Sequence, residues 1–270
     1  MEYIALGCMS GTSLDGIDCS LVKSDGDSYV TDISNEFIPY SDGLQLKLRN
    51  VILKGYLDDI KVINQLNQEY RDSINNFIKK NNFEIDLIAM HGQTIYHDQK
   101  TKISIQLFDK SIRFNTNSPV ICNFRKNDLL NGGNGAPIMP EFHRVLANQL
   151  DLKKVIFVNI GGVTNITVID NQKITAGDSS FGNAIVNDLI YEKTKERFDV
   201  DGSLSNNGQK IDLLFNRIIS DKYFLENLPK SLDRNYFHKY IDNSIKDKNL
   251  NELIYTLLEV IPFAINSLIS

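Results

Sequence analysis

The run IALGCMSGTSLDGID at 4–18 places two carboxylates, Asp15 and Asp18, in one turn with Gly11, Thr12 and Ser13. A strand that enters such a turn and leaves as a second strand gathers several backbone N–H groups at one point. Nests of this kind attract anions, phosphate above all. Gly11 lets a ligand approach the backbone, and the hydroxyls of Thr12 and Ser13 add donors. A carboxylate beside a phosphate implies a metal to bind or a proton to move. The plainer reading is a hairpin, because Asp15-Gly16 is also a two-residue hairpin signal. The two readings combine: the hairpin is the scaffold and its tip is the site.

Four further groups of residues carry chemistry. NIGGVTN at 159–165 is a second Gly turn, suited to the far side of a triphosphate or, more simply, to a tight turn needing positive φ. Paired with the first turn, the phosphate reading leads. His91, Gln93 and Thr94 follow a buried strand, at the carboxyl end where open α/β sheets bind ligands. Their donors and acceptors suit the hydroxyls and amide of a sugar; the alternative is a surface loop before a capped helix. Arg125 and Asp128 precede GGNGAP at 132–137. Arg125 is placed to clamp a substrate carboxylate, or else to cap the carboxyl end of a helix from the surface. In GDSSFGN at 177–183, Asp178 reads as a strand-end carboxylate projecting into a cleft, or as a helix N-cap. Ser179, Ser180 and Asn183 can each serve the cap, which leaves Asp178 for chemistry.

Positioning these groups requires strands and helices in a definite order. Apolar patterning predicts strands at 2–9, 16–23 and 30–39, helices at 42–54 and 58–81, and a buried strand at 86–90. A strand at 102–107, a short helix at 109–115 and a strand at 119–124 follow. The second half restarts with strands at 153–160, 164–169 and 173–177 and a helix at 183–197. Strand, Gly turn, strand, strand and helix thus occur twice, a weak repeat of architecture. The pattern predicts an α/β protein of two ribonuclease-H-like lobes, 1–150 and 151–270, facing each other across a cleft lined by both Gly turns. The second lobe is incomplete, since only helical segments follow, at 207–220, 233–246 and 250–269. The last of these has nothing after it to cover its apolar face, so the chain reads as a shortened version of a longer protein.

Composition narrows the classes. A net charge of −5 and a pI near 5.4 argue against nucleic acid or an anionic membrane as the main partner. Cys8, Cys19 and Cys122 show no CxxC pairing and read as buried thiols of a reducing compartment. With no basic leader and no apolar run near the ~20 residues that span a bilayer, the expectation is a soluble cytoplasmic protein.

MSGTSLDGID (9–18), HGQT (91–94), GGNGAP (132–137), NIGGVTNIT (159–167) and DSSFGN (178–183) stand in an order and spacing that resemble the anhydro-N-acetylmuramic acid kinase family, within the sugar kinase/Hsp70/actin superfamily. The resemblance implies ATP-dependent conversion of 1,6-anhydro-N-acetylmuramic acid and water to N-acetylmuramic acid 6-phosphate in cell-wall sugar recycling, with Mg²⁺. It implies ATP contacts at Gly11, Thr12, Ser13, Leu14, Asp15, Gly16, Ile17 and Asp18, and at Gly161, Gly162 and Asn165. It implies sugar contacts at His91, Gln93, Thr94, Arg125, Asp128, Gly135 and Asn183, and a catalytic base at Asp178. It assigns no metal ligand: where related sugar kinases place an acidic residue before the loop, this chain has Met9. Dimers occur in the family, which makes a homodimer the assembly to test. The chain departs from the family pattern at Phe108, Asn123, Asn134 and 179–181, and family members continue for about another hundred residues. A different class of reading is a catalytically silent sugar- or muropeptide-binding protein. A third, an ATP-hydrolysing switch like actin, leaves HGQT and DSSFGN without a role.

Overall fold

Leu6 and Cys8 are buried between half-exposed neighbours along β1 (Tyr3–Ser10), the period-two pattern of a strand with one face in a core. In antiparallel register they face Leu21 and Cys19 of β2 (Gly16–Ser24), which pairs in turn with β3 (Val30–Pro39). The computed structural model describes residues 1–11, 14–54, 59–98, 101–241, 245 and 247–269, without the side chains of 52–54. It divides the chain into two compact units, Met1–Leu152 and Lys153–Ser270, and the protein is mixed α/β.

In the first unit, α1 (Asp42–Lys54) and α2 (Ile60–Asn81) follow the three strands. Asp59 caps α2 by accepting from the N–H groups of Lys61 and Val62. The inward stripe of α2 is Val62, Leu66, Tyr70, Ile74 and Phe77, whereas Ile60 at its start is exposed. Beyond α2, β4 (Leu87–Asp98) lies parallel to β1 and antiparallel to β5 (Ile103–Leu107), which gives the order β3-β2-β1-β4-β5. A two-residue β6 (Val120–Ile121) also pairs with β4.

Several expectations for this unit need correction. The strand expected at 86–90 continues through HGQT to Asp98, because Gly92 adopts φ +78° and shifts the strand without ending it. No helix forms at 109–115. Asn67 and Asn75 of α2 accept the N–H groups of Asp109 and Asn115, and Asp109 closes an Asx turn with Ser111, so Ile112 and Phe114 enter the core from irregular backbone. The strand expected at 119–124 ends at Ile121, and Phe124 instead begins α3 (Phe124–Leu130). α4 (Pro140–Gln149) follows the Gly-rich stretch.

In the second unit, β7 (Lys154–Ile160), β8 (Val163–Asp170) and β9 (Lys173–Phe181) form an antiparallel sheet of three strands. α5 (Asn183–Thr194), α6 (Asp212–Ile219) and α7 (Leu250–Ile269) complete the unit. The helix expected at 233–246 is, in its described part, a 3₁₀ turn at Tyr236–Tyr240, because aromatic packing and Asp233 turn bonds take precedence over helical spacing. Nor is α7 without cover: Leu253, Ile254, Leu257, Val260 and Ile261 lie in the core of their own unit. That helix also corrects the reading of apolar runs, since by length and composition alone it is apolar enough to cross a membrane.

α5 begins at Gly182, whose missing Cβ leaves room for the carbonyl oxygen of Gly161. Replacing Gly182 by Ala drives a methyl into that backbone oxygen and toward Thr164 Oγ1 at 3.1 Å. The expected outcome is a loss of about 1–3 kcal/mol, read from urea unfolding followed by a probe in the second unit.

Candidate functional site

The groups expected to carry chemistry lie in both units, and each unit builds its own cluster. In the first, the turn after β1 is wider than an Asp-Gly hairpin. Met9 faces Asp18, and Gly16 already lies in β2 opposite Pro39, so Asp15-Gly16 is not the turn centre. Leu14, buried and at φ +62°, takes the left-handed position and donates its N–H to Gly11 O at 3.3 Å. Asp15 holds the far end by accepting the N–H of Tyr40 at 2.9 Å, and Ile17 faces the core. Gly16 is required because a Cβ there would meet Ile38 O and the Phe37 ring. Thr12 and Ser13 lie outside the described residues. The Asp18 carboxyl is raised above the usual range, first by partial burial and then by the neighbouring Asp15 carboxylate.

Gln93, fully buried in β4, donates to Gly11 O at 2.7 Å and accepts from the Tyr40 hydroxyl at 3.2 Å. It therefore fixes the first turn from a neighbouring strand. His91 is also buried. Its Nε2 accepts from Arg125 Nε at 2.8 Å, which leaves Nδ1–H to donate to Gly92 O at 2.7 Å. Burial, then the Arg125 guanidinium, depress the imidazole to about 4, so His91 is neutral at physiological pH. Arg125 Nη1 donates to Gly135 O at 2.7 Å, and Gly135 N–H donates to Asp128 Oδ2 at 2.7 Å. His91, Arg125, Gly135 and Asp128 thus form one continuous chain of hydrogen bonds. Gly135 takes φ +68°, and Gly133 N–H donates to the Asp128 carbonyl at 2.9 Å, which folds the Gly-rich loop back over α3. Thr94 Oγ1 is buried without a hydrogen-bond partner among the described residues.

In the second unit, Gly161 and Gly162 link β7 to β8, and neither takes the left-handed conformation that a tight turn would need. Their carbonyls accept the N–H groups of Gly182, Asn183 and Ala184 at 2.8–3.2 Å, so the turn caps α5 in place of a side chain. Asn183 Nδ2 reaches Ile160 O at 3.4 Å. Asp178 is neither at the strand end nor an N-cap. It lies within β9 and is buried, facing Asn165 across a bulge at Ser179. Its N–H donates to Lys230 O, its carbonyl accepts from the Tyr223 hydroxyl at 2.7 Å, and its Oδ2 accepts from Leu232 N–H at 2.8 Å. Ser179 and Ser180 are buried and bond to Thr164 O and Phe181 O, with no capping role.

Tyr223, Lys230 and Leu232 were not read from the sequence as part of any site. Their only signal is a single Lys in the apolar run LPKSL (228–232), which spacing does not distinguish from a surface residue. Among the described residues no cluster of three or more His, Cys, Asp or Glu side chains is arranged to hold a metal. Mg²⁺ needs fewer: it is commonly held by one or two carboxylates and the phosphates themselves. Asp15 and Asp18 fit that requirement, and their mutual repulsion is of the kind a cation relieves.

A family model described as anhydro-N-acetylmuramic acid kinase matches residues 2–267. A protein of that name from Pelagibacter ubique (strain HTCC1062) is 36% identical over 81% of this chain and 62% of its own length. Another from Bradyrhizobium diazoefficiens is 33% identical over 88% of this chain and 69% of its own length. The chain thus spans about two thirds of the length of these relatives. Among solved structures, the ethanolamine utilization protein EutJ from Carboxydothermus hydrogenoformans covers 77% of this chain and 62% of its own, at 14% identity and a TM-score of 0.28. So loose a superposition carries no argument.

The His91 environment has a measurable consequence. Its folded-state value lies below that of an unfolded histidine, so the unfolded chain binds more protons between about 6.5 and about 4. Its contribution to stability is full above that window and is lost as pH falls through it. In ¹⁵N NMR the wild-type imidazole is expected to keep Nδ1 protonated and to titrate near 4, whereas His91→Gln is expected to flatten the stability loss between pH 6.5 and 4. A His91 signal that titrates near 6.5 would contradict the buried network.

Proposed function

Because the chain belongs to the anhydro-N-acetylmuramic acid kinase family, we propose that it is an ATP-dependent sugar kinase of cytoplasmic peptidoglycan recycling. In that reading it converts 1,6-anhydro-N-acetylmuramic acid and water to N-acetylmuramic acid 6-phosphate. The observation that carries the reading, beyond the family match, is a buried carboxylate at a strand bulge, Asp178, fixed through its backbone on both sides. The sheet order β3-β2-β1-β4 is read as a ribonuclease-H-like lobe, and β7-β8-β9 as the start of a second.

Opening the anhydro bridge requires water to attack the anomeric carbon while the bond from that carbon to O6 breaks. Asp178 takes the proton from that water. The freed O6 forms a bond to the γ-phosphorus of ATP, the bond to the β-phosphate oxygen breaks, and ADP leaves. The turn at 11–18 and the turn at 161–165 are assigned to the phosphates. Mg²⁺, held by Asp15 and Asp18, would neutralise phosphate charge. His91, Gln93, Thr94, Arg125, Asp128, Gly135 and Asn183 are assigned to the sugar in different ways. Gln93 shapes the first turn. Arg125, with Nε and Nη1 fixed by His91 and Gly135, is oriented to meet the lactyl carboxylate of the muramic acid. A neutral His91 suits this arrangement, since a second cation beside the guanidinium would repel it.

The decisive measurement is a coupled assay of the chain with ATP, Mg²⁺ and the anhydro sugar. ADP and the 6-phosphate are expected in equal amounts, and Asp178→Asn is expected to cut turnover by about 10²–10⁴-fold. Sugar binding without ADP formation would favour the catalytically silent binding protein instead. Absence of both sugar binding and ADP formation would defeat the two readings together.

A further inference from the structure

A lysine is almost never fully buried without a counter-charge, yet Lys230 is only 4% exposed. Its ammonium donates to Tyr223 O at 2.8 Å and lies 4.3 Å from the centre of the Tyr223 ring. A carbonyl and an aromatic face moderate a positive charge, but neither cancels it. Two carboxylates attract this ammonium, Glu226 and Asp178. Glu226 is exposed, so water screens it, whereas Asp178 is buried.

The backbone ties the same residues together. Asp178 N–H donates to Lys230 O at 2.8 Å, the Lys230 ammonium donates to Tyr223 O, and the Tyr223 hydroxyl returns to Asp178 O at 2.7 Å. This is a closed circuit through three residues. Gly177 makes it possible, since a Cβ there would meet Lys230 O at 2.6 Å and Lys230 N at 2.8 Å. Leu232 N–H, two residues further on, then reaches the Asp178 carboxylate itself.

We infer that Lys230 is a positioning residue of this site, its buried ammonium being the counter-charge that keeps the Asp178 carboxylate ionised and in place. The attraction is mutual. Burial lowers the Lys230 ammonium below the usual lysine range, while Glu226 and Asp178 oppose that fall. Tyr223 stays a neutral donor, because burial and then the Asp178 charge push its phenol far above the ordinary range. Among the groups acting on Asp178 are Lys230, the Tyr223 hydroxyl and the Leu232 N–H, with Glu226 competing for the lysine. Only the kinetic part of the test below rests on Asp178 being the base proposed above.

The test is a ¹³C NMR titration of the Asp178 carboxyl in the whole chain, with the signal assigned by its loss in Asp178→Asn. Lys230→Met keeps the volume and removes the charge, and it is expected to raise the Asp178 midpoint by about one pH unit or more. Tyr223→Phe, which leaves both the charge and the Tyr223 carbonyl, is expected to move it far less. Where Lys230→Met does not fold, the reciprocal measurement decides: Asp178→Asn is expected to lower the Lys230 ammonium midpoint by a similar amount. An Asp178 midpoint unmoved in folded Lys230→Met, or a Lys230 midpoint unmoved in Asp178→Asn, overturns the inference. These titrations need neither ATP nor sugar, so coupled midpoints in a chain without turnover uphold the pair while the kinase reading fails. In a chain that turns over, the acid limb of kcat is expected to move to higher pH in Lys230→Met, and turnover with a fixed limb overturns the inference while the kinase reading stands.

Discussion

A carboxylate inside a β-sheet must have its hydrogen bonds and its charge met by the protein, and the second unit is organised around meeting them for Asp178. Backbone from 228–232 lies against β9 to supply Leu232 N–H and Lys230 O, and Gly177 is the opening that admits it. Tyr223 completes the frame from the 3₁₀ turn at Lys222–Leu225, and that turn is itself held by a second carboxylate. Asp221 accepts from the Tyr223 N–H, the hydroxyls of Tyr236 and Tyr240, and Lys239. Burial works to raise the Asp221 carboxyl, but Lys239 and these donors hold it at about 2. Irregular chain over 221–240 is thus ordered by two buried acids and the aromatic cluster of Tyr223, Phe224, Tyr236, Phe237 and Tyr240 between them.

The first unit solves a similar problem with neutral groups. Gln93 and His91 are buried in β4, and among the described residues Gln93 bonds to Gly11 O and the Tyr40 hydroxyl while His91 bonds to Gly92 O and Arg125. Arg125 is linked to Asp128 through the Gly135 peptide, whose carbonyl takes the guanidinium while its N–H donates to the carboxylate. Such a chain is worth more as geometry than as stability, because removing one member leaves the others buried and unpaired. That argues for a site whose shape is set before any ligand arrives.

Much of this was legible in the sequence where one local rule sufficed. Period-two burial marks β1 and β2, helical spacing marks α2, and the restart of strand, Gly turn and strand at 153 is plain from apolar runs. The failures occur where a distant partner overrides the local rule. HGQT looked like a loop, but the left-handed Gly92 and pairing with β5 carry the strand through it. The segment 109–115 looked helical, but Asn67 and Asn75 take its N–H groups. Asp178 looked like a strand-end group, and its burial depends on residues more than forty positions away that no spacing rule connects to it.

The two Gly turns show most clearly how like sequences are put to unlike use. Both were expected to expose N–H groups to phosphate. In the first, the Gly11 carbonyl is consumed by Gln93 and Leu14, and among the described residues of the turn it is Leu14 that is left-handed. In the second, the carbonyls of Gly161 and Gly162 are consumed by the start of α5. Each turn is thus held from within by bonds to its own carbonyls. Gly182 is where this becomes strict, since no other residue lets α5 approach Gly161 closely enough to make the bond.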